Sequence, residues 1–293
     1  MASGNTTTDA LADSLPDIIA SARQVREYEG VMPQLVDKET LDEGSGLAWN
    51  EVSFAKLTAT SVTETTELNN PQQISDTLFS ITPTVVGLQT LITDRVAARI
   101  SKNAYAKIGS LGQNAIQRKK DIDGITVLDG ATTSLSGAGS TLVAGVIASA
   151  SVRISSNATE PGLPPIRAVL HGFQIKDLYD ELAGAGVLGT YPVPDGLTAR
   201  VFAEGFRGKV NGVEIFEDGN ITIDSDADAK GGVFAEKGII LVQGRASRAV
   251  AVRKEEIGGG ATAMYLYDEY AYGERSAGNW LYEIYSDATS PTT

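Results

Sequence analysis

The sequence predicts an α+β protein, and three observations carry that class. Val96, Ile100, Ala104, Ile108, Leu111 and Ala115 recur at spacings of three and four, the stripe of a long amphipathic helix. The segments before it are rich in Thr, Ser and Val, with imperfect alternation at period two, as strands have. The chain then closes on MYLYDEYAYGERSAGNWLYEIYSD, where apolar and aromatic residues alternate again.

Taken in order, residues 1–33 read as an N-terminal arm, polar at first and then briefly amphipathic in IIASARQVREYEG. Residues 34–72 have too few apolar side chains for a compact unit. They read as an extended β-hairpin that finds its packing partner elsewhere. Residues 73–122 give a strand, LFSITPTVVGLQTLIT, running into the long helix. Thr93 is placed as its N-cap, with Asp94 at the positive end of the dipole. Arg118, Lys119 and Lys120, followed by Asp121 to Gly124, read as its stop, so the helix is expected over 94–120, a rod of roughly 40 Å.

Residues 123–231 form a second unit, α+β or α/β. TVLDGATTSLSGAGST and GAGVLGTYPVPDG read as loops, LVAGVIASASVRIS and FQIKDLYDEL as helices, and IRAVLHG as a buried strand. KVNGVEIFEDGNI offers two short strands around an Asn-Gly turn. Residues 232–275 and 276–293 complete the chain as strands. Tyr265, Tyr267, Tyr270 and Tyr272 keep period two, and Trp280 and Tyr282 follow a polar, glycine-bearing turn. Two strands packing their rings across that turn account for the pattern without a ligand.

Composition excludes several functions. The net charge is −13, which opposes a large phosphate-binding surface. A base-stacking platform needs cations beside its rings, yet Arg275 stands among Asp268, Glu269, Glu274, Glu283 and Asp287. There is no cysteine, so disulfides and thiolate metal sites are ruled out. The first residues have neither the basic nor the apolar region of a signal peptide, and no run reaches the roughly 18 apolar residues of a membrane helix.

No motif supplies chemistry. The one histidine, His171, ends an apolar strand and reads as structural or capping. Gly137 and Gly139 begin a dinucleotide fingerprint that fails at Leu142, and neither a nucleophile elbow nor a P-loop is present. Asp224, Asp226 and Asp228 are spaced like calcium ligands, but Ala229 and Ala235 hold the glycine and glutamate positions, so an acidic surface turn is the reading. The basic residues of the long helix, Arg95, Arg99, Lys102, Lys107 and Arg118 to Lys120, read as a solvated face with a dipole-matched end. No catalytic, cofactor or metal site is expected.

The order of these parts resembles the Hong Kong 97-type major capsid protein, the shell subunit of tailed double-stranded DNA phages. TETTELNNPQQISDTLFSITPTVVGLQTLITDRVAARI and YDEYAYGERSAGNWLYEI carry the resemblance best, and it spans nearly the whole chain. It implies an N-terminal arm (1–33), an extended loop lying across a neighbouring subunit (34–72), and a peripheral domain of strand and spine helix (73–122). An axial domain (123–231), peripheral strands (232–275) and a closing strand returning to the axial domain (276–293) complete it. Trp49, Phe54 and Lys56 become candidate contacts between subunits. Val96, Ile100, Ile108 and Leu111 become the spine-helix core, and Tyr265, Tyr267, Tyr270, Tyr272, Trp280 and Tyr282 the strand-packing aromatics. Some relatives crosslink a loop lysine to a neighbour's asparagine; Lys56 is the lysine well inside this loop, and nothing in the sequence supports such a bond specifically.

The partners the resemblance implies are further copies, as hexamers and pentamers of a shell, with a separate scaffolding protein and a portal. The shell would enclose double-stranded DNA without sequence-specific contacts or a membrane, in a virion whose subunits are made in the host cytoplasm. Two other readings stay open at this level. One is another virion part, a tail tube or decoration protein; the other is an α/β enzyme using the central unit.

Overall fold

The computed structural model describes residues 30–44, 46–65, 71–99, 102–183, 208–257 and 259–291; the arm over 1–29 and the loop GAGVLGTYPVPDG lie outside them. In chain order the elements are α1 (Met32–Leu35), β1 (Asp37–Thr40), β2 (Trp49–Phe54), β3 (Asp76–Ile81), β4 (Thr84–Thr93), α2 (Asp94–Ala97) and α3 (Lys102–Asp129). There follow β5 (Ser134–Ser136), α4 (Ala144–Ser155), β6 (Ile166–Leu170), α5 (Gly172–Ala183), β7 (Lys209–Val210), β8 (Val213–Glu217) and β9 (Asp228–Ala235). The last are β10 (Ile239–Gln243), β11 (Arg248–Lys254), β12 (Ala261–Glu274) and β13 (Leu281–Asp287).

Two sheets organise these elements. The first runs β1-β10-β12-β11, with β4 on the other side of β12; the second runs β5-β13-β9-β6-β8-β7. The two-stranded ribbon β2-β3 stands apart. The chain passes from second to first sheet in the tight turn Glu236–Gly238. The domain boundary expected at 231–232 therefore falls inside β9, a strand hydrogen-bonded to both β6 and β13.

Local chemistry explains much of this. Asn211 and Gly212 both take positive φ, the conformation a two-residue hairpin turn demands, and they join β7 to β8. IRAVL is buried along nearly its whole length in β6, and its partner β8 runs parallel to it, with α5 packing between them in sequence. One core cluster sits under α4 and α5, around Leu142, Ile147, Ile154, Leu170, Leu178 and Val233. A second joins α3 to both sheets through Met32, Ile125, Leu128, Phe234, Ile239 and Leu281.

The spine helix departs from its expected bounds at both ends. A short α2 follows Thr93, whose backbone sits at the N-cap while its side chain makes no capping bond. The main helix α3 then runs straight through Asp121 to Gly124 and ends at Asp129. A mid-helix glycine costs about 1 kcal/mol, but beyond it Ile125 and Leu128 are buried, at roughly 1.5–3 kcal/mol each. Burial wins. Gly124 is also sterically required: a Cβ there would meet the Met32 Cβ at 2.9 Å. The helix stops one turn later at Gly130, whose amide closes on the Thr126 carbonyl at 3.0 Å.

The tyrosine strand and the strand after it do not pack against each other as the alternation suggested. β12 lies in the first sheet, between β4 and β11 with β10, while β13 pairs β9 and β5 in the second. The polar turn between them is a crossing from one sheet to the other, not a hairpin.

Candidate assembly surface

Among the described elements, the β2-β3 ribbon is the one least supported by its own subunit. Val52, Leu78 and Ile74 are exposed, Phe54 is 72% exposed, and Leu57 and Val62 beyond the strands are exposed too. By register Val52, Phe54 and Leu78 share one face of the ribbon, and that face stands open. A hydrophobic strand pair left so in a lone subunit is unfavourable, and a partner surface removes the cost.

Its root, by contrast, is held firmly. Trp49 packs with Ile81, Ile240 and Val242, and meets Phe79 edge to face at 6.4 Å. Arg275 lies over the Trp49 ring at 5.8 Å, its Nε donates to Glu51 at 2.7 Å, and it also pairs with Asp37. Burial opposes the charge on Arg275, but Asp37 and Glu51 outweigh it and hold the guanidinium above its ordinary range. Trp49 is thus an anchor within its own subunit. Its ring stays because Arg275 and the Ile81 cluster cover it. Phe54 and Lys56 stand exposed further out.

The spine-helix residues divide. Val96 is buried; Ile100 and the side chain of Ile108 lie outside the described residues. Leu111, placed on the apolar stripe by spacing, is 39% exposed. The face that packs is instead Gly112, Ile116, Lys120 and Gly124: at Gly112 a Cβ would meet Leu266 at 3.2 Å and Leu88 at 3.3 Å. Glycine lets the sheet come so close that the leucine beside it is turned away. Lys120 is likewise no solvated helix end. It is buried, 3.3 Å from Asp268, 2.6 Å from the Gln243 Oε1 and 4.8 Å from the Tyr270 ring.

Tyr265, Tyr267, Tyr270 and Tyr272 lie in β12 and Tyr282 in β13, while Trp280 lies in the bend just before β13, and the six are unequally buried. Tyr270 and Tyr282 are buried, while Tyr265, Tyr267, Tyr272 and Trp280 are partly so. The Tyr270 hydroxyl donates to Asp123 at 2.8 Å, and Trp280 Nε1 donates to the Glu160 carbonyl at 2.8 Å. Tyr265 and Tyr267 stack 6.0 Å apart, with the Arg248 guanidinium 5.3 Å from the Tyr267 ring. They lie on the open face of the first sheet, beside exposed Val85, Val250 and Val252. A shallow cavity of about 290 Å³ opens there, lined by Val85, Arg245, Arg248, Tyr267 and Glu269. The edge strand β11 has no second neighbour among the described residues.

The remaining candidates have structural roles. His171 Nδ1 accepts from the Phe173 amide at 3.2 Å at the start of α5, and burial pushes the imidazole below its ordinary range, against the pull of Glu217. Asp224 accepts from the amides of Asp226 and Asp228 and from the Tyr285 hydroxyl, a turn that closes on itself. Among the described residues no cluster of three or more metal-ligating side chains occurs, and no helix is long and apolar enough to cross a membrane.

Arg275, Glu51 and Asp37 were not legible as a unit in the sequence. Arg275 and Asp37 are 238 positions apart, and only the lone arginine among acids hinted at a committed partner.

No family model and no curated protein matches the sequence. Solved structures do. A chain of Mycobacterium phage Che8 is similar with a TM-score of 0.70 at 16% identity, over 90% of this chain and 93% of its own. The capsid structure of Cyanophage P-SCSP1u gives 0.71 at 13% identity, over 98% and 97%. The capsid asymmetric unit of Cyanophage Pam1 gives 0.69 at 12%, over 99% and 100%. From the arm junction through ribbon and spine helix to the closing strand, the chain has the fold of phage capsid subunits, consistent with the Hong Kong 97-type architecture that its order of parts resembles.

Proposed function

We propose that this chain is the structural subunit of a phage head, assembling with further copies into an icosahedral shell around double-stranded DNA. The ribbon β2-β3, with an open apolar face of Val52, Phe54 and Leu78 and rooted by Arg275, is the observation that carries the reading. A projecting element of this kind needs another subunit to cover it. The open face of the first sheet is a surface of matching character: Val85, Val250 and Val252 are exposed beside Arg245 and Arg248, while the ribbon brings Glu64 and Asp76. The acidic net charge fits a container that must not grip its DNA. Within this reading the ribbon and the loop around it are the extended loop, the first sheet with α3 the peripheral domain, and the second sheet with α4 and α5 the axial domain. Hexamers and pentamers are the assembling units, a separate scaffolding protein and a portal complete the head, and no catalysis is required.

Negative-stain imaging of the purified protein tests the proposal. Capsomer rings or hollow polyhedral shells are expected. Tubes would transfer the chain to a tail, and persistently discrete particles under assembly conditions would refute the shell reading. Because the chain has no cysteine, a Phe54→Cys, Val250→Cys pair then reports whether the ribbon reaches a neighbour's open sheet face, as subunits joined by a disulfide.

A further inference from the structure

Two carboxylates meet in the interior where the described chain begins. Asp121, on α3, and Asp218, just after β8, are both fully buried. The amide of Met32 donates to Asp121 Oδ1 at 3.0 Å, and the preceding amide, of Val31, donates to Asp218 Oδ2 at 3.4 Å. Asn220 spans the pair: its backbone N–H donates to Asp218 Oδ1 at 2.9 Å and its side-chain amide to Asp121 Oδ2 at 2.8 Å. The chain passes directly over this site, since a Cβ on Gly30 would fall on the Asp121 carboxyl group. Two consecutive amides are thus held by two acids from different parts of the fold, at the point from which residues 1–29 extend.

We propose that Asp121 and Asp218 form a proton-operated latch: sharing one proton they clasp residues 30–32 to the body, and losing it they repel and release that junction. Two buried carboxylates in contact cannot both ionise without cost, because a like charge and a low dielectric both disfavour the second charge. Burial first, and then Asp121, push the Asp218 carboxyl up to about 7, against the amides of Asn220 and Val31. The folded chain therefore holds a proton that the unfolded chain has given up. The latch is full strength in acid and weakens as pH rises towards and through about 7.

Among the described residues the surroundings supply no rescuing cation. Tyr272 and Tyr270 face this corner from β12 and Asp123 from α3, with Asp268 beyond them; burial, and then these carboxylates, hold both tyrosines above their ordinary range. Lys120 is committed to Asp268 and Gln243, and Glu217 acts on His171.

A spin label tests the latch. The full chain has no cysteine, so Val31→Cys takes one nitroxide, whose mobility is read at about pH 5.5 and about pH 8.5 on either side of the expected window. The mobile fraction should rise several-fold with pH. Asp218→Asn, which imitates the protonated acid, should keep the label immobile at both values, and Asp121→Asn should do the same. A spectrum unchanged by pH in the parent overturns the proposal. An equal pH response in parent and both asparagine variants also overturns it, because another group then drives the motion.

Discussion

The buried pair Lys120–Asp268 ties the spine helix to the long strand of the first sheet, and its removal should be felt in a characteristic way. Nζ and Oδ2 are 3.3 Å apart, with Lys120 8% and Asp268 3% exposed. At an effective dielectric of about 20, unit charges at that distance attract by about 5 kcal/mol, and desolvating the two ions offsets several kcal/mol of it. The pair as a whole is thus close to neutral, while half of it is costly. Lys120→Met leaves the Asp268 carboxylate buried, with only the Gln243 side chain and the Glu269 amide to hold it. The expected loss is about 3–5 kcal/mol, a large share of a typical stability of about 5–15 kcal/mol. Adding Asp268→Asn should return about 2 kcal/mol or more, because the orphaned charge disappears. Urea unfolding of the unassembled subunit measures all four corners of the cycle. Additive losses, with a coupling energy near zero, would show that the two groups do not share a low-dielectric site, and the packing of α3 on β12 described above would be wrong.

Other outcomes follow from the same structure. Replacing residues 55–75 by a short turn keeps the Trp49–Arg275 root, so the subunit should melt at an unchanged temperature yet form no shells by electron microscopy; normal shells would remove the loop beyond the ribbon from assembly. Gly109 has no atom within 4 Å of an added Cβ, whereas at Gly124 Met32 lies 2.9 Å away. Gly109→Ala should therefore stabilise by roughly 0.5–1 kcal/mol and Gly124→Ala destabilise by about 1–3 kcal/mol, read by thermal melting. Tyr270→Ala should cost about 3–5 kcal/mol and Tyr270→Phe, which loses only the bond to Asp123, about 1 kcal/mol. Half-buried Tyr267→Ala should cost less than Tyr270→Ala. None of the three tyrosine changes should alter single-stranded DNA binding in a filter assay, because the parent is expected to show none at physiological salt.

By itself the sequence determined whatever is decided within a few residues. The α+β class, the helices over LVAGVIASASVRIS and FQIKDLYDEL, and the Asn-Gly hairpin of β7 and β8 follow from periodicity and turn chemistry, which act along the local chain. A lonely ribbon was legible in the same way, because an apolar content too low for a core shows in composition. Tertiary structure alone decided where the spine helix ends, since the burial of Ile125 and Leu128 by α1 and the sheets outweighs a local stop at Gly124. It alone turned Leu111 outward, through the close approach of Leu88 and Leu266 to Gly112. It also separated the two aromatic strands into different sheets and brought Lys120 to Asp268, 148 positions away, and Asp121 beside Asp218. These outcomes depend on which surfaces meet. The free energy of burying a side chain or pairing a charge belongs to both partners, and the second partner is not written in the local sequence of the first.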